Sequence, residues 1–219
     1  MRLLCLILSL AVSFHPGSYK KKRVALTFDD GPHGVYTAQI LKILYEYGVQ
    51  ATFFTIGSNA ERYPELVRAE YDLGHEIGNH TYSHSVSPSH LTDEIKKADR
   101  VIREITGKTT EVFRPPEGKI SRDAASAVNA LGKTTVLWDV DTRDWAHTPV
   151  DAIVENVKRS VRDGSVILFH DFVKAPSPTP EALRIIIPYL MDNGYEFVTV
   201  SALYHDAEKT GTVPSYFIG

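Results

Sequence analysis

Two pairs of side chains in this sequence have the types and spacing of a metal-dependent hydrolytic site. Asp29 and Asp30 stand side by side shortly after the apolar run Val24-Ala25-Leu26, and His80 and His84 stand four residues apart. Two aspartates at the end of a buried strand are costly unless a positive charge lies between them. One carboxylate oxygen and two imidazole nitrogens suit a divalent metal with open coordination positions, and the spare carboxylate can serve as a base.

The two pairs predict different tasks for their members. Alternation along a strand sends adjacent side chains in opposite directions, so we expect one aspartate to bind metal and the other to accept a proton. Histidines at i and i+4 share one side of a helical turn, as in zinc-protease motifs. Those motifs place a glutamate base after the first histidine; here that residue is Thr81, so the base must come from elsewhere, and the aspartate pair can provide it. Singly, an Asp-Asp-Gly turn or a surface helix would explain either pair.

Three further residues could complete such a site. His170 ends an apolar strand, and Asp144 or the adjacent Asp171 could bond one ring nitrogen and raise its pKa. We favour Asp144, because chain adjacency directs Asp171 elsewhere. A histidine held in this way can protonate a leaving group. Arg114 precedes two prolines, so its stiff backbone could hold an ionised aspartate in place, or it could form a purely structural salt bridge.

Aromatic residues near these positions suggest a substrate surface. Trp145 and Phe169 could form an apolar wall for a sugar ring, and a core position is an equally good interpretation of both. His33 lies close to the aspartates in sequence and is expected near the site, whereas His75 is expected to be structural.

Strand-like and helix-like segments alternate along the chain. The expected strands are 24–28, 51–56, 76–78, 112–113, 134–140, 165–169 and 195–200, and the expected helices are 37–47, 59–73, 92–105, 121–131, 149–161 and 181–191. This alternation predicts an α/β fold with a parallel sheet and right-handed crossovers. Candidate site residues follow five different strands, which favours a distorted parallel (β/α) barrel of seven or eight strands, with its site at their carboxyl ends, over an open doubly wound sheet.

The composition is that of a globular protein, and the net charge gives no indication of nucleic-acid binding. The chain has 219 residues, 43% of them hydrophobic and 23% charged, and a net charge of −3. The apolar stretch from Leu3 to Val12 contains the single cysteine, Cys5. We interpret residues 1–22 as a signal peptide or short anchor with a linker, and residues 23–219 as the functional domain. The protein is therefore expected to be secreted or bound at the cell surface.

Five motifs, in this order, resemble those of the polysaccharide deacetylases, known as carbohydrate esterase family four or the NodB-homology domain. They are Thr27-Phe28-Asp29-Asp30-Gly31-Pro32, His80-Thr81-Tyr82-Ser83-His84, Arg114-Pro115-Pro116-Glu117-Gly118, Asp141-Thr142-Arg143-Asp144-Trp145 and Leu168-Phe169-His170. The resemblance covers about Arg23 to Leu203 and implies a distorted (β/α) barrel. It also implies metal-dependent removal of N-acetyl groups from N-acetylglucosamine-type polymers.

The resemblance implies a role for each site residue. Asp29 would be the general base tethered by Arg114, and His170 the general acid oriented by Asp144. The metal, zinc in most members and cobalt, manganese, nickel or iron in others, would bind Asp30, His80 and His84. Trp145 and Leu168 would line the acetyl pocket. Many members have tyrosine at the position of Glu117; a backbone N–H donor to the oxyanion survives that exchange, but the added carboxylate could change substrate preference.

The resemblance is strongest to bacterial cell-wall and sporulation-associated deacetylases, so a monomeric enzyme acting on peptidoglycan is expected. Chitooligosaccharides are the next substrate class. An amidohydrolase for small cyclic amides and a non-catalytic wall-binding protein with the same fold are the remaining alternatives.

Overall fold

The computed structural model describes residues 21–85 and 87–218. Residues 1–20 of the predicted leader and linker, Cys5 among them, lie outside the described residues, and Lys22 at its end is the first residue of the first strand. In the described ranges nine strands and eight α-helices follow one another as β1 (Lys22–Asp29), α1 (Tyr36–Tyr47), β2 (Thr52–Thr55), α2 (Gly57–Arg62), α3 (Pro64–Asp72), β3 (Glu76–Asn79), α4 (Leu91–Thr106), β4 (Val112–Phe113), α5 (Arg122–Asn129), β5 (Thr134–Val136), β6 (Val140–Asp141), α6 (Val150–Ser160), β7 (Ser165–His170), α7 (Thr179–Asp192), β8 (Tyr195–Phe197), α8 (Val200–Thr210) and β9 (Phe217–Ile218).

The strands form one curled sheet in the order β6-β7-β1-β2-β3-β4-β5-β9, and β8 pairs with the beginning of β1. All pairings among the first eight strands are parallel, and β9 is antiparallel to β5. This confirms the predicted distorted parallel (β/α) barrel of seven or eight strands. Among the described residues no pairing joins β6 to β9, so the barrel is open between them.

Alternation along the central strands separates an outer apolar layer from the barrel interior. Leu26 and Phe28 of β1 and Phe169 of β7 are fully buried against the helices, and the Phe28 ring stacks on the Phe169 ring at 5.8 Å. The alternate residues, including Thr27 and Asp29, face inward. The same parity that fills the core therefore selects which side chains reach the site.

Three predicted elements were wrong in their extent. The single helix expected over residues 59–73 is two helices, because Pro64 begins α3 and Tyr63 between them is not helical. The strand expected over 134–140 is divided into β5 and β6. The last predicted strand ends at Phe197, and helix α8 follows, capped by the Thr199 side chain, which accepts from the N–H of Ala202.

The C-terminal elements α8 and β9 were not predicted from the sequence. No helix of the described part of the chain has both the length and the apolar character that a bilayer crossing requires.

Candidate active site

The aspartate pair lies at the carboxyl end of β1. Asp29 is the last residue of the strand and faces the barrel interior, whereas Asp30 follows it with φ +75°. Both side chains line one cavity of about 510 Å³. Strand alternation alone would have directed them apart, but the left-handed backbone of Asp30 returns its carboxylate to the cavity. Gly31 continues the turn, and a Cβ atom there would lie 2.0 Å from Oδ2 of Asp171.

Asp30, His80 and His84 converge on one point. The Nε2 atoms of both histidines lie 3.3 Å from Oδ1 of Asp30, and the three ligand atoms are within 4.8 Å of one another. Oδ1 of Asp30 is buried and makes no hydrogen bond with good geometry in the described part of the chain. A buried, unpartnered carboxylate oxygen facing two imidazole nitrogens fits a divalent cation. Burial by itself would raise the pKa of Asp30, but the two histidines hold it well below its ordinary value.

The histidine segment is a loop, so the predicted helical turn over His80 to His84 was wrong. Thr81 has φ +65° and His84 has φ +58°, values that exclude a continuous right-handed helix. His80 is fixed from behind, because its Nδ1 donates to the carbonyl of Arg114 at 2.7 Å. That bond leaves the Nε2 lone pair of His80 directed toward Asp30.

Arg114 is a fully buried guanidinium inside the barrel. Its Nη1 donates to Oδ1 of Asp29 at 2.7 Å and to Oγ1 of Thr27 at 2.8 Å, and its Nε and Nη2 donate to the carbonyls of Val136 and Leu137. These bonds compensate the cost of burying the charge. They fix Oδ1 of Asp29, while Oδ2 of Asp29 lies 3.9 Å from Nε2 of His80, on the side of the metal cluster.

Asp144 and His170 form the second buried pair. The Nδ1–H of His170 donates to Oδ1 of Asp144 at 2.8 Å, and the His170 backbone N–H donates to Oδ2 at 2.7 Å. Thr179 and Trp145 donate to the same carboxylate. Burial alone would lower the pKa of His170, but Asp144, reinforced by the charges of Asp29 and Asp30, raises it to about 9. The β1–β7 register pairs His170 with Asp29, so both line one cavity.

The cavity also contains the residues expected to contact substrate. Leu168 is buried in its wall, Trp145 is half exposed at its rim, and Glu117 stands beside them with φ +57° and its carboxylate 2.5 Å from Nζ of Lys119. Arg114 and Asp144 lie behind the lining, each bonded to a residue that reaches it. The structure therefore gathers all ten predicted site residues in or directly behind one cavity.

Two neighbouring residues lie outside the cavity lining. Of the two interpretations of Phe169, the structure shows the core position, because β7 parity directs Leu168 and His170 inward and Phe169 outward. The His33 ring stacks on Tyr36 and accepts from the backbone of α1, and it is absent from the cavity lining.

His75 is buried and structural as expected, since its Nδ1 accepts from the N–H of Ala51. Asp171, the competing partner for His170, instead accepts from the hydroxyl of Thr37.

Sequence reasoning gave no role to Trp138 and Asp141, which also line the cavity. Trp138 stands between two short strands and packs against Gly118, where a Cβ would approach its ring to 2.7 Å. Its place in the motif-free segment between β5 and β6 offered no signal. Asp141 falls within a quoted motif and was expected at a strand end on the face of the site, as observed at the end of β6, but no role was assigned to it.

Comparison with known proteins gives a consistent result. The family model described as "Polysaccharide deacetylase" matches residues 17–136. A peptidoglycan-N-acetylglucosamine deacetylase of Bacillus cereus is 41% identical over 84% of this chain and 88% of its own length. A chitooligosaccharide deacetylase of Sinorhizobium fredii is 37% identical over 78% of this chain and 87% of its own.

A solved structure extends the comparison to metal binding. A family 4 acetyl xylan esterase of Clostridium thermocellum, in complex with a cobalt ion, superposes with a TM-score of 0.80 at 39% identity, over 88% of this chain and 93% of that one. The similarity in sequence, the shared fold and the ordered site motifs all indicate the same family. This chain belongs to the polysaccharide deacetylase family.

Proposed function

We propose that this protein is a metal-dependent hydrolase that removes N-acetyl groups from N-acetylglucosamine units, with peptidoglycan as its polymer. The observation that supports this most directly is the Asp30, His80 and His84 cluster, flanked within one cavity by Asp29 and His170. Hydrolysis of an acetamide needs an activated water, a stabilised carbonyl oxygen and a protonated leaving nitrogen. These residues can meet all three needs.

Zinc is the cation we propose for the cluster, with cobalt, manganese, nickel and iron as alternatives. Two imidazole nitrogens and one carboxylate oxygen are three of the four ligands of a typical catalytic zinc site. When bound, the cation supplies Lewis acidity and lowers the pKa of a coordinated water. The cobalt ion in the acetyl xylan esterase supports a divalent cation in this family.

Asp29 is the proposed general base. Arg114 occupies its Oδ1 and leaves Oδ2 on the cavity side, where it accepts the proton of the attacking water. The bond from the Arg114 guanidinium holds the Asp29 carboxylate in the orientation that this task requires. Arg114 touches no reacting atom in this account and is a positioning residue.

His170 is the proposed general acid. Because Asp144 accepts from its Nδ1–H, the Nε2–H of the imidazolium is the one available to the departing amine. A pKa raised to about 9 keeps His170 protonated at neutral pH. The raised pKa suits it to deliver a proton to the amino sugar as the carbon–nitrogen bond breaks.

The remaining cavity residues bind and orient the substrate. Leu168 packs against the acetyl methyl group, and the exposed Trp145 ring offers a stacking face to the sugar. The backbone N–H of Glu117 is the proposed donor to the carbonyl oxygen as negative charge develops there.

Peptidoglycan is proposed as the polymer because the Bacillus relative is named for that substrate and matches most of both chains. Chitooligosaccharides are the second candidate on the same kind of finding from the Sinorhizobium relative. We also propose that residues 1–22 direct export and that 23–219 form the monomeric catalytic domain, which would place the enzyme at the cell wall where its substrate lies.

Acetate release tests the function. The purified protein is incubated with peptidoglycan, chitooligosaccharides and a set of small cyclic amides, before and after chelation and after return of zinc. We expect acetate from the glycans only, loss on chelation and recovery with zinc. Release from the cyclic amides alone would establish the amidohydrolase alternative. Retention on peptidoglycan with no acetate at any metal loading would establish the non-catalytic wall-binding alternative.

A further inference from the structure

The two histidines of the metal cluster are supported very differently. His80 is buried, and its Nδ1 donates to the carbonyl of Arg114. The side chain of His84 is 37% exposed, and its Nδ1 makes no hydrogen bond in the described part of the chain. Its φ of +58° is also unfavourable for a residue with a Cβ atom. The position of His84 therefore depends on how the backbone before it is held.

That backbone is held by the carboxylate of Glu94, in the first turn of α4. One oxygen, Oε2, accepts from the N–H of Tyr82 at 3.1 Å, from the N–H of Ser83 at 2.7 Å and from the hydroxyl of Ser83 at 2.8 Å. Bonds from N–H and O–H donors to an ionised carboxylate are stronger than bonds between neutral groups. All three hydrogen bonds are donated by the two residues immediately before His84.

The opposite side of the same loop is fixed by α2. The N–H groups of Gly57 and Ser58 donate to the carbonyls of Thr81 and Tyr82 at 2.9 Å each. These helix-end bonds hold the part of the loop next to His80, whereas Ser83 is bonded only to Glu94 in the described part of the chain. The loop is thus clamped between two helices, and only the Glu94 side reaches the residue that precedes His84.

We propose that Glu94 is a positioning residue of the metal centre, which preorganises His84 through the Tyr82-Ser83 backbone. This inference rests on the proposed metal site. Residues that orient metal ligands from behind typically change metal affinity by about tenfold to a hundredfold when they are removed. Without Glu94 the cation has to order the loop as it binds, and that cost appears as weaker binding.

Asp93 provides a matched control, because it occupies the same first turn of α4, carries the same charge and is exposed without a hydrogen bond in the described part of the chain. Metal-free wild type, E94A, E94Q and D93A are titrated with zinc against a chromophoric chelator. We expect the zinc dissociation constant of E94A to rise about tenfold to a hundredfold. The constant should rise less in E94Q, whose neutral amide oxygen still accepts, and stay within about twofold of wild type in D93A.

Amide hydrogen exchange in the metal-free proteins supplies a second measurement. The N–H groups of Tyr82 and Ser83 should exchange faster in E94A than in D93A, while amides in β1 and β7 remain equally protected. A zinc affinity of E94A equal to that of D93A would overturn the role of Glu94 and leave the proposed metal centre standing. If E94A does not fold, equal affinities of E94Q and D93A would overturn it in the same way. A wild-type protein that binds no divalent cation would overturn this inference together with the proposed metal centre.

Discussion

Replacing Asp144 with asparagine should move the alkaline limit of activity. Asp144 is fully buried and accepts four hydrogen bonds on two oxygens, two of them from His170. Asparagine keeps the shape but offers one carbonyl oxygen and no charge, so at least one donor pair loses its acceptor. Burial, which lowers the pKa of His170, is then opposed only by the more distant Asp29 and Asp30.

The magnitude follows from the pKa of His170. The difference between about 9 and the ordinary 6.5 corresponds to roughly 3 kcal/mol, at 1.36 kcal/mol for each pH unit. The acid form of His170 is the active one, so wild-type activity should fall on the alkaline side, as pH rises through the pKa of His170. In D144N that fall should begin about two pH units lower or more. At neutral pH the rate should drop by about 10²–10⁴.

The assay is the pH dependence of acetate release at saturating zinc, combined with an NMR titration of the His170 ring. D151N is the control. Asp151 is an exposed residue in the first turn of α6, and its replacement removes the same charge. An alkaline limit of D144N that coincides with those of D151N and wild type would refute the assignment of His170 as the acid oriented by Asp144.

The same linkage affects stability. The pKa of His170 is raised in the folded state, so the pair stabilises the fold fully below about pH 6.5 and loses that contribution as pH rises toward 9. D144N should flatten this part of the stability curve, as measured by urea unfolding at several pH values. A pH dependence identical to wild type would contradict the coupling.

Three further substitutions test the scaffold. Arg114→Lys should lower activity at least about a hundredfold, because a single ammonium cannot replace the guanidinium fork that holds Asp29 and two carbonyls. Wild-type rates of Arg114→Lys in kinetic assays at saturating zinc would contradict this. Gly31→Ala should lower the melting temperature by several degrees, because a Cβ would lie 2.0 Å from Oδ2 of Asp171, and an unchanged calorimetric melting curve would contradict it. Glu70→Met should stabilise the protein more at pH 8 than at pH 5. Both oxygens of the fully buried Glu70 lack a partner among the described residues, and burial raises the pKa of Glu70 well above its ordinary value. The cost of burying this carboxyl group therefore grows as pH rises above its ordinary pKa. Equal urea midpoints for wild type and Glu70→Met at pH 8 would refute that explanation.

The sequence was sufficient for the barrel and for the gathering of its site residues. Alternating segments predicted the parallel sheet, and parallel strands share one carboxyl edge, so Asp30 and His80 could be placed together without coordinates. Asp144 was identifiable as a partner for His170, and Arg114 by the stiff backbone that its two following prolines impose.

Other features depend on contacts between distant segments and could not be predicted locally. His-x-x-x-His spacing indicates a helix, but the amides of Tyr82 and Ser83 are bonded to Glu94 instead of to their own turn. Phe169 and Leu168 have similar local sequence signals, and only the registry of β7 against β1 decides which faces the cavity. The C-terminal strand β9 is two residues long, too short to produce a periodicity.

Asp30, His80 and His84 are proposed to hold one divalent cation beside Asp29. Anomalous diffraction from crystals grown with zinc, recorded above and below the zinc absorption edge, tests it most directly. We expect a single strong peak at about 2.0–2.2 Å from Nε2 of both histidines and from an oxygen of Asp30. A peak elsewhere, or no peak at this cluster in crystals that contain zinc, would contradict the account.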